Sequence, residues 1–304
     1  MASIGFIGTG NIGNPMARHV LAAGHDLLVF DLNADACENL AELGARVARS
    51  PREVAEACRV VFTSLPGPQQ VEDVARGADG LLAGAREGDV HIDLTTNSVS
   101  AVKRMAALEA ERGVFYLDAP VTGGVAGAEA GTLTVLASGD RLAFERAEPL
   151  LQAIGTNVFY LGETGTGTLV KLINNLIVLC AGQLMQEGVV LGAKAGLDPA
   201  RLYEMLRLGT ARPFIGLMPQ VVGRRFENPS FSLGLAAKDV GLALETARDL
   251  AVPMPVTAAA HQTYLRAVAA GLSASSFLAT LETLEAGAGT AVPRTEVERG
   301  GDRV

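Results

Sequence analysis

The chain has 304 residues, with 33 Asp and Glu against 25 Lys and Arg for a formal net charge of -8. Hydrophobic residues make up 49% and charged residues 19%, which excludes the apolar-poor, charge-rich composition of a disordered chain. The acidic balance and dispersed arginines deny it the basic patch on which nucleic-acid binding depends, so no nucleic-acid partner is expected. A chain of this length exceeds the size at which one core usually stops growing, so two domains are expected.

The opening Ser3-Ile4-Gly5-Phe6-Ile7 runs at once into strand chemistry, without a basic leader or cleavage pattern, and is read as neither signal nor transit peptide. From there to about residue 160, short apolar runs alternate with helical spacing. Ile4 to Ile7, Asp26 to Phe30, Val60 to Ser64, Val90 to Asp93, Phe115 to Asp118 and Thr132 to Ala137 read as strands. Pro15 to Ala23, Ala34 to Leu43 and Val99 to Arg112 read as helices between them, the alternation of a mainly parallel, doubly wound sheet. Beyond Gly162 the texture changes. A glycine-rich hinge opens a long helical pattern to about Ala195, and helices punctuated by Pro199, Pro213, Pro229 and Pro253 continue to about Ala286. The expected division is therefore an α/β domain over 1–163, an all-α domain over 164–286 and a disordered tail over 287–304. The apolar stretch Leu169 to Leu179 is broken by Lys171, Asn174 and Asn175 and is shorter than the ~20 residues of a membrane span. Cys37, Cys58 and Cys180 lie far apart without paired spacing, so no metal site is expected and all three read as reduced apolar fillers. A cytoplasmic protein with no membrane partner is the expectation.

Gly8-Thr9-Gly10-Asn11-Ile12-Gly13 is G-x-G-x-x-G placed after the first strand and opening a helix. Its glycines permit a tight turn, close approach of backbone to pyrophosphate, and helix–strand packing, with the helix N-terminus facing negative charge. This is the dinucleotide signature of a Rossmann domain. Two readings stand for Asp31, which ends the second strand: an acceptor for the adenosine ribose hydroxyls, or a solvated strand end before the next helix. A carboxylate there repels a 2′-phosphate, and Leu32-Asn33 brings no arginine to offset it, so NAD is expected over NADP.

Asp118-Ala119-Pro120-Val121-Thr122-Gly123-Gly124 follows a strand, and the N–H groups of Gly123 and Gly124 with the Thr122 hydroxyl suit an anionic oxygen such as a carboxylate. An ordinary glycine-rich turn fits the same pattern. Lys171 and Asn175, four residues apart, share a helix face, where the lysine is either put to use or snorkels to solvent.

Together with Gly165-x-Gly167 before Lys171 and with Lys238-Asp239, these segments resemble the β-hydroxyacid dehydrogenase family over about residues 4 to 260. The chain departs from the family pattern at Ile12, where methionine is usual, and at Thr122, where serine is usual. The resemblance implies hydride transfer between a nicotinamide and a small 3-hydroxy acid, 3-hydroxyisobutyrate-like, or its semialdehyde. It assigns Lys171 to exchange the hydroxyl proton, Asn175 to orient that hydroxyl, and Thr122, Gly123 and Gly124 to hold the substrate carboxylate. Beside the Gly8–Gly13 turn, it implies that Leu65, Pro66, Thr96 and Lys238 touch the cofactor, and that the chain forms a homodimer or homotetramer. An NADP-dependent tartronate, succinic semialdehyde or glyoxylate reductase is the alternative, and it calls for an arginine near Asp31. 6-Phosphogluconate dehydrogenases need a larger helical domain, and imine reductases lack the lysine. A catalytically silent cofactor-binding scaffold stands as the reading from another class.

Overall fold

A computed structural model describes residues 3–297, and the chain divides into two compact units, Met1–Leu172 and Ile173–Val304. In the first unit, β1 (Ile4–Ile7) leads through α1 (Gly13–Ala22) to β2 (Leu27–Phe30), and α2 (Glu38–Glu42) to β3 (Arg46–Val47). Then come α3 (Pro51–Ala57), β4 (Val60–Thr63), α4 (Pro68–Arg76), α5 (Leu81–Gly84), β5 (Val90–Asp93), α6 (Val99–Ala110) and β6 (Phe115–Asp118). The unit ends with β7 (Val121–Thr122), α7 (Gly124–Ala130), β8 (Leu133–Gly139), α8 (Arg141–Ile154) and β9 (Gly155–Tyr160).

The strand order is β3-β2-β1-β4-β5-β6-β8-β7, with β9 also paired to β8. Strands β3 to β6 are parallel, and the chain switches direction across the sheet between β1 and β4, where ligands of open α/β sheets bind. Parallel strands covered on both faces must bury both sets of alternate side chains. Phe6, Val29 and Phe62 accordingly join one core cluster, while Ile7, Leu28 and Val61 join another. β8 runs antiparallel to β6, and the register sets Ser138 opposite Asp118.

α9 (Thr166–Lys194) begins in the first unit and continues into the second, where α10 (Pro199–Leu206), α11 (Met218–Val222), α12 (Leu233–Asp249), α13 (Pro255–Ala269) and α14 (Thr280–Ala288) follow. α9 ends close to the Ala195 expected, and at 29 residues it is long and apolar enough to cross a membrane by length and composition, which the shorter apolar stretch Leu169–Leu179 did not suggest. In the helical unit its inward face is a core face instead. Leu179, Met185, Val189 and Val190 join that unit's cluster, and Gln183 and Gln186 hydrogen-bond to Thr280.

The expectation of a disordered tail from Gly287 fails for residues 287–297. α14 runs on to Ala288, and Val292 is buried with its N–H donated to Glu285 Oε1 at 2.6 Å. Arg224 donates to the Val292 carbonyl, the Thr295 N–H donates to the Val222 carbonyl, and Arg225 pairs with Glu296. One buried valine and four anchored polar groups outweigh the glycine and charge content of the segment. The remainder of that expectation, residues 298–304, lies outside the described residues.

Candidate active site

The Gly8–Gly13 turn leaves the C-terminal end of β1 beside β4. Gly8 sits at φ 90°, and a Cβ there would overlap the Ser64 carbonyl oxygen. A Cβ at Gly13 would overlap the Gly8 carbonyl oxygen, whereas one at Gly10 would meet nothing within 4 Å. Two glycines thus close the turn and the third keeps its outer side open. No side chain caps α1 and no acidic residue lies in its first turn, so its N-terminus is disposed toward an external anion. A dinucleotide's pyrophosphate fits this cradle.

Asp31 holds the turn from β2. Its Oδ2 accepts the Thr9 N–H at 2.7 Å and its Oδ1 accepts the Asn33 N–H at 2.9 Å. Of the turn residues expected at the cofactor, Gly10 and Asn11 are exposed, but Thr9 is buried, with its hydroxyl 3.4 Å from Cys37 Sγ. Thr9 therefore ties the turn to its own unit, and half-buried Ile12 packs against the core cluster. Leu65 and Pro66 follow β4, and Thr96 follows β5, so the structure brings all three to the same C-terminal edge of the sheet as the glycine turn. The Leu65 N–H donates to Thr95 Oγ1 at 3.0 Å, joining the two loops.

Thr122 ends β7, and Gly123 and Gly124 start α7 with φ of 128° and 65°, values that strongly favour glycine. A Cβ on Gly124 would point into open space. This is again an N-terminus open to an anion.

The start of α9 is built differently. Asp118 is buried, and its Oδ1 accepts the Ser138 hydroxyl at 2.6 Å and the Gly165 N–H at 3.0 Å, while Oδ2 accepts the Thr168 N–H at 2.9 Å. The Gly167 N–H donates to Ser138 Oγ at 3.0 Å, and a Cβ on Gly167 would overlap the Leu136 carbonyl oxygen. Burial pushes the Asp118 carboxyl up to about 6, although its hydrogen bonds to Ser138, Gly165 and Thr168 pull the other way. Lys171, half-buried, comes just beyond this anchored turn, and Asn175 one turn later on the same helix.

In the helical unit, Asn175 Nδ2 donates to Asp239 Oδ2 at 2.6 Å, and Asn174 Nδ2 donates to Asn175 Oδ1 at 3.1 Å. Lys238 Nζ lies 2.9 Å from Asp239 Oδ1, so this lysine is paired rather than simply solvated, and its side chain is 26% exposed. Asp118, Ser138 and Asp239 were not assigned roles from the sequence. Asp118 and Asp239 lie inside the motif segments, where the available signal was a carboxylate ending a strand and a carboxylate beside Lys238.

The family model described as the NAD binding domain of 6-phosphogluconate dehydrogenase matches residues 3–162. The model described as NAD-binding of NADP-dependent 3-hydroxyisobutyrate dehydrogenase matches residues 165–284. A 2-(hydroxymethyl)glutarate dehydrogenase of Eubacterium barkeri is 36% identical over 291 residues, covering 95% of this chain and 97% of its own. A 3-hydroxyisobutyrate dehydrogenase of Pseudomonas aeruginosa is 39% identical over 274 residues, covering 87% and 91%. The solved 3-hydroxyisobutyrate dehydrogenase of Mycobacterium tuberculosis with L-serine superposes with a TM-score of 0.83 at 31% identity, over 93% of this chain and 99% of that one. With its doubly wound nucleotide domain, its helical second unit and these full-length matches, the chain belongs to the β-hydroxyacid dehydrogenase family.

Proposed function

We propose that this hydroxyacid oxidoreductase interconverts a small 3-hydroxy acid and its semialdehyde with NAD, using Lys171 as the proton-exchanging group. The observation that carries the reading is the anchored start of α9, where Asp118 and Ser138 occupy the first amides of the helix that bears Lys171 and Asn175. The substrates named for the relatives, 3-hydroxyisobutyrate and 2-(hydroxymethyl)glutarate, share a hydroxymethyl group on the carbon that carries a carboxylate. That common fragment is the substrate class proposed here.

Nicotinamide, when bound, supplies the two-electron acceptor or donor. The open α1 N-terminus and Gly10 bind the pyrophosphate, and Asp31 accepts the ribose hydroxyls with lone pairs left over from Thr9 and Asn33. Thr122, Gly123 and Gly124 hold the substrate carboxylate. Lys171 Nζ takes the hydroxyl proton in oxidation and returns it in reduction, while Asn175, its amide turned by Asp239, orients the hydroxyl. A free lysine titrates near ~10.4, so oxidation, which needs the neutral amine, gains toward alkaline pH and reduction gains toward neutral pH.

NADP use is the second reading, favoured by the NADP-dependent description of the family model over residues 165–284. Against it stand the Asp31 carboxylate and the uncharged Leu32-Asn33 beside it. The test is a panel of 3-hydroxy acids and their semialdehydes read by reduced-nicotinamide absorbance with each cofactor. Higher kcat/KM with NAD for a hydroxymethyl acid, and a narrowed gap in Asp31→Ala, support the proposal. No turnover of any hydroxymethyl acid with either cofactor contradicts it.

Self-association is proposed on the exposed apolar residues Ile173, Ile177, Leu184 and Leu191 along α9, and light scattering on the eluting protein reads it as a dimer or tetramer. Cytoplasmic residence is proposed on the three free cysteines, which suit a reducing compartment, and cell fractionation checks it.

A further inference from the structure

Behind the loops that follow β4 and β5 runs a buried polar chain. Glu109 faces inward from α6 beside Val102 and Met105, and it is 0% exposed. A carboxylate so placed is costly unless it is compensated. Its Oε1 lies 2.7 Å from His91 Nδ1, and its Oε2 has no hydrogen-bond partner among the described residues, so His91 provides the compensation. His91 Nε2 lies 2.9 Å from Thr63 Oγ1, which donates to Asp93 Oδ1 at 2.8 Å. The same Asp93 oxygen accepts the Thr95 N–H at 3.1 Å, and Oδ2 accepts Asn97 Nδ2 at 2.7 Å and the Tyr116 hydroxyl at 2.6 Å. Thr95 Oγ1 in turn accepts the Leu65 N–H.

The protons in this chain can be counted. Four donors converge on Asp93, so it acts as an acceptor only. Thr63 has a single hydroxyl hydrogen and spends it on Asp93, so its contact with His91 requires a donor on Nε2. One further proton then lies between His91 Nδ1 and Glu109, on either partner. Burial pulls the His91 pKa down, but the charge and hydrogen bond of Glu109 and the charge of Asp93 outweigh it, leaving it raised. Glu109 shares this second proton with Nδ1, which leaves the Nε2–H to donate to Thr63. With Nε2–H donating to it, the Thr63 hydroxyl is held as a donor to Asp93, the carboxylate that also receives the Thr95 N–H.

We propose that His91 and Glu109 are positioning residues for the cofactor, holding the 64–67 and 94–97 loops through the Thr63–Asp93–Thr95 chain. The inference rests on the reading that these loops meet the cofactor. His91 and Glu109 touch neither cofactor nor substrate and act through Thr63. Replacing both by apolar residues of similar size removes the chain's driving end without stranding a buried charge. Thr63→Val cuts it in the middle with a hydroxyl-to-methyl exchange. Glu109→Gln keeps it, because the amide donates to Nδ1 and leaves the hydrogen on Nε2.

The experiment titrates NADH fluorescence and measures cofactor KM and kcat for wild type, H91L/E109M, T63V and E109Q, with folding checked by circular dichroism. H91L/E109M and T63V are expected to weaken NADH binding at least about fivefold and to raise cofactor KM by the same factor. Their kcat at saturating cofactor stays within about twofold, and E109Q binds within about twofold of wild type. A folded H91L/E109M or T63V that binds NADH like wild type overturns the proposal, and so does an E109Q that binds as weakly as the cut variants. T63V decides if the double variant does not fold. Wild type binding neither NADH nor NADPH overturns the cofactor reading beneath the proposal, a result distinct from either of these.

Discussion

Among the helices that start from glycine-rich turns, α1 and α9 use their N-termini in opposite ways. α1 begins with no side-chain cap, no acidic residue in its first turn and an outer glycine whose missing Cβ faces open space. α9 begins with its Gly165, Gly167 and Thr168 amides donated to Asp118 and Ser138. An unfilled N-terminus binds an anion that arrives; a filled one fixes the helix and whatever it carries. The glycines look alike in both segments, and the difference lies in whether the protein supplies the acceptor.

The sharpest way to break this contrast is at α1. Gly13→Val drives a side chain into the Gly8 carbonyl, so it should cost at least the ~1–3 kcal/mol of an overpacked site and abolish NADH binding. Gly10→Ala is its counterpart. The new methyl meets nothing in the protein, so stability should move by less than about 0.5 kcal/mol, yet NADH should bind more weakly because the methyl stands where the pyrophosphate approaches. Thermal unfolding read beside fluorescence titration separates the two variants.

At α9 the matching change is Asp118→Asn. Three donors converge on Asp118, and an amide presents only one acceptor oxygen, so at least one buried donor loses its partner at a cost of about 1–3 kcal/mol. kcat should fall as the Lys171 helix loosens, while NADH binding persists.

A smaller effect follows from pH. Asp118 keeps its proton to about 6 when folded but releases it near 3.8 when unfolded, so the folded state binds more protons between those values. Its contribution to stability is fully present below 3.8 and is lost as pH rises through 6. The loss in melting temperature from pH 4 to pH 7 should therefore be greater for wild type than for Asp118→Asn. An equal or smaller loss in wild type would mean that Asp118 is not held in a desolvated site.

Much of this was legible in the sequence, for local reasons. β1, β2, β4, β5, β6 and β8 announce themselves as apolar runs because both faces of the sheet are covered. β3 and β7 have two residues each, and β9 is an edge strand with Thr156, Asn157 and Phe159 exposed, so none offers a buried pattern to read. The glycine turn and Asp31 were readable because their chemistry is contained in a few consecutive residues. The Asp118–Ser138 anchor was not, because it depends on the register of β6 against β8. Asn175 and Asp239 are likewise brought together only by packing of α9 on α12 within the helical unit. Glu109 left a trace, a charge on the apolar stripe of α6, but its partner His91 sits on a strand that the helix pattern does not reveal.

The central claim, that α9 is anchored in order to present Lys171, is tested most directly by Lys171→Met assayed for turnover and NADH binding in parallel. The methionine keeps much of the apolar stem and removes the proton-exchanging amine, so kcat should fall by at least ~10²-fold. NADH affinity should stay within about twofold, since the turn that holds its phosphates is untouched. A Lys171→Met protein that oxidises a hydroxymethyl acid within a few-fold of wild type would contradict the account and remove Lys171 from the mechanism.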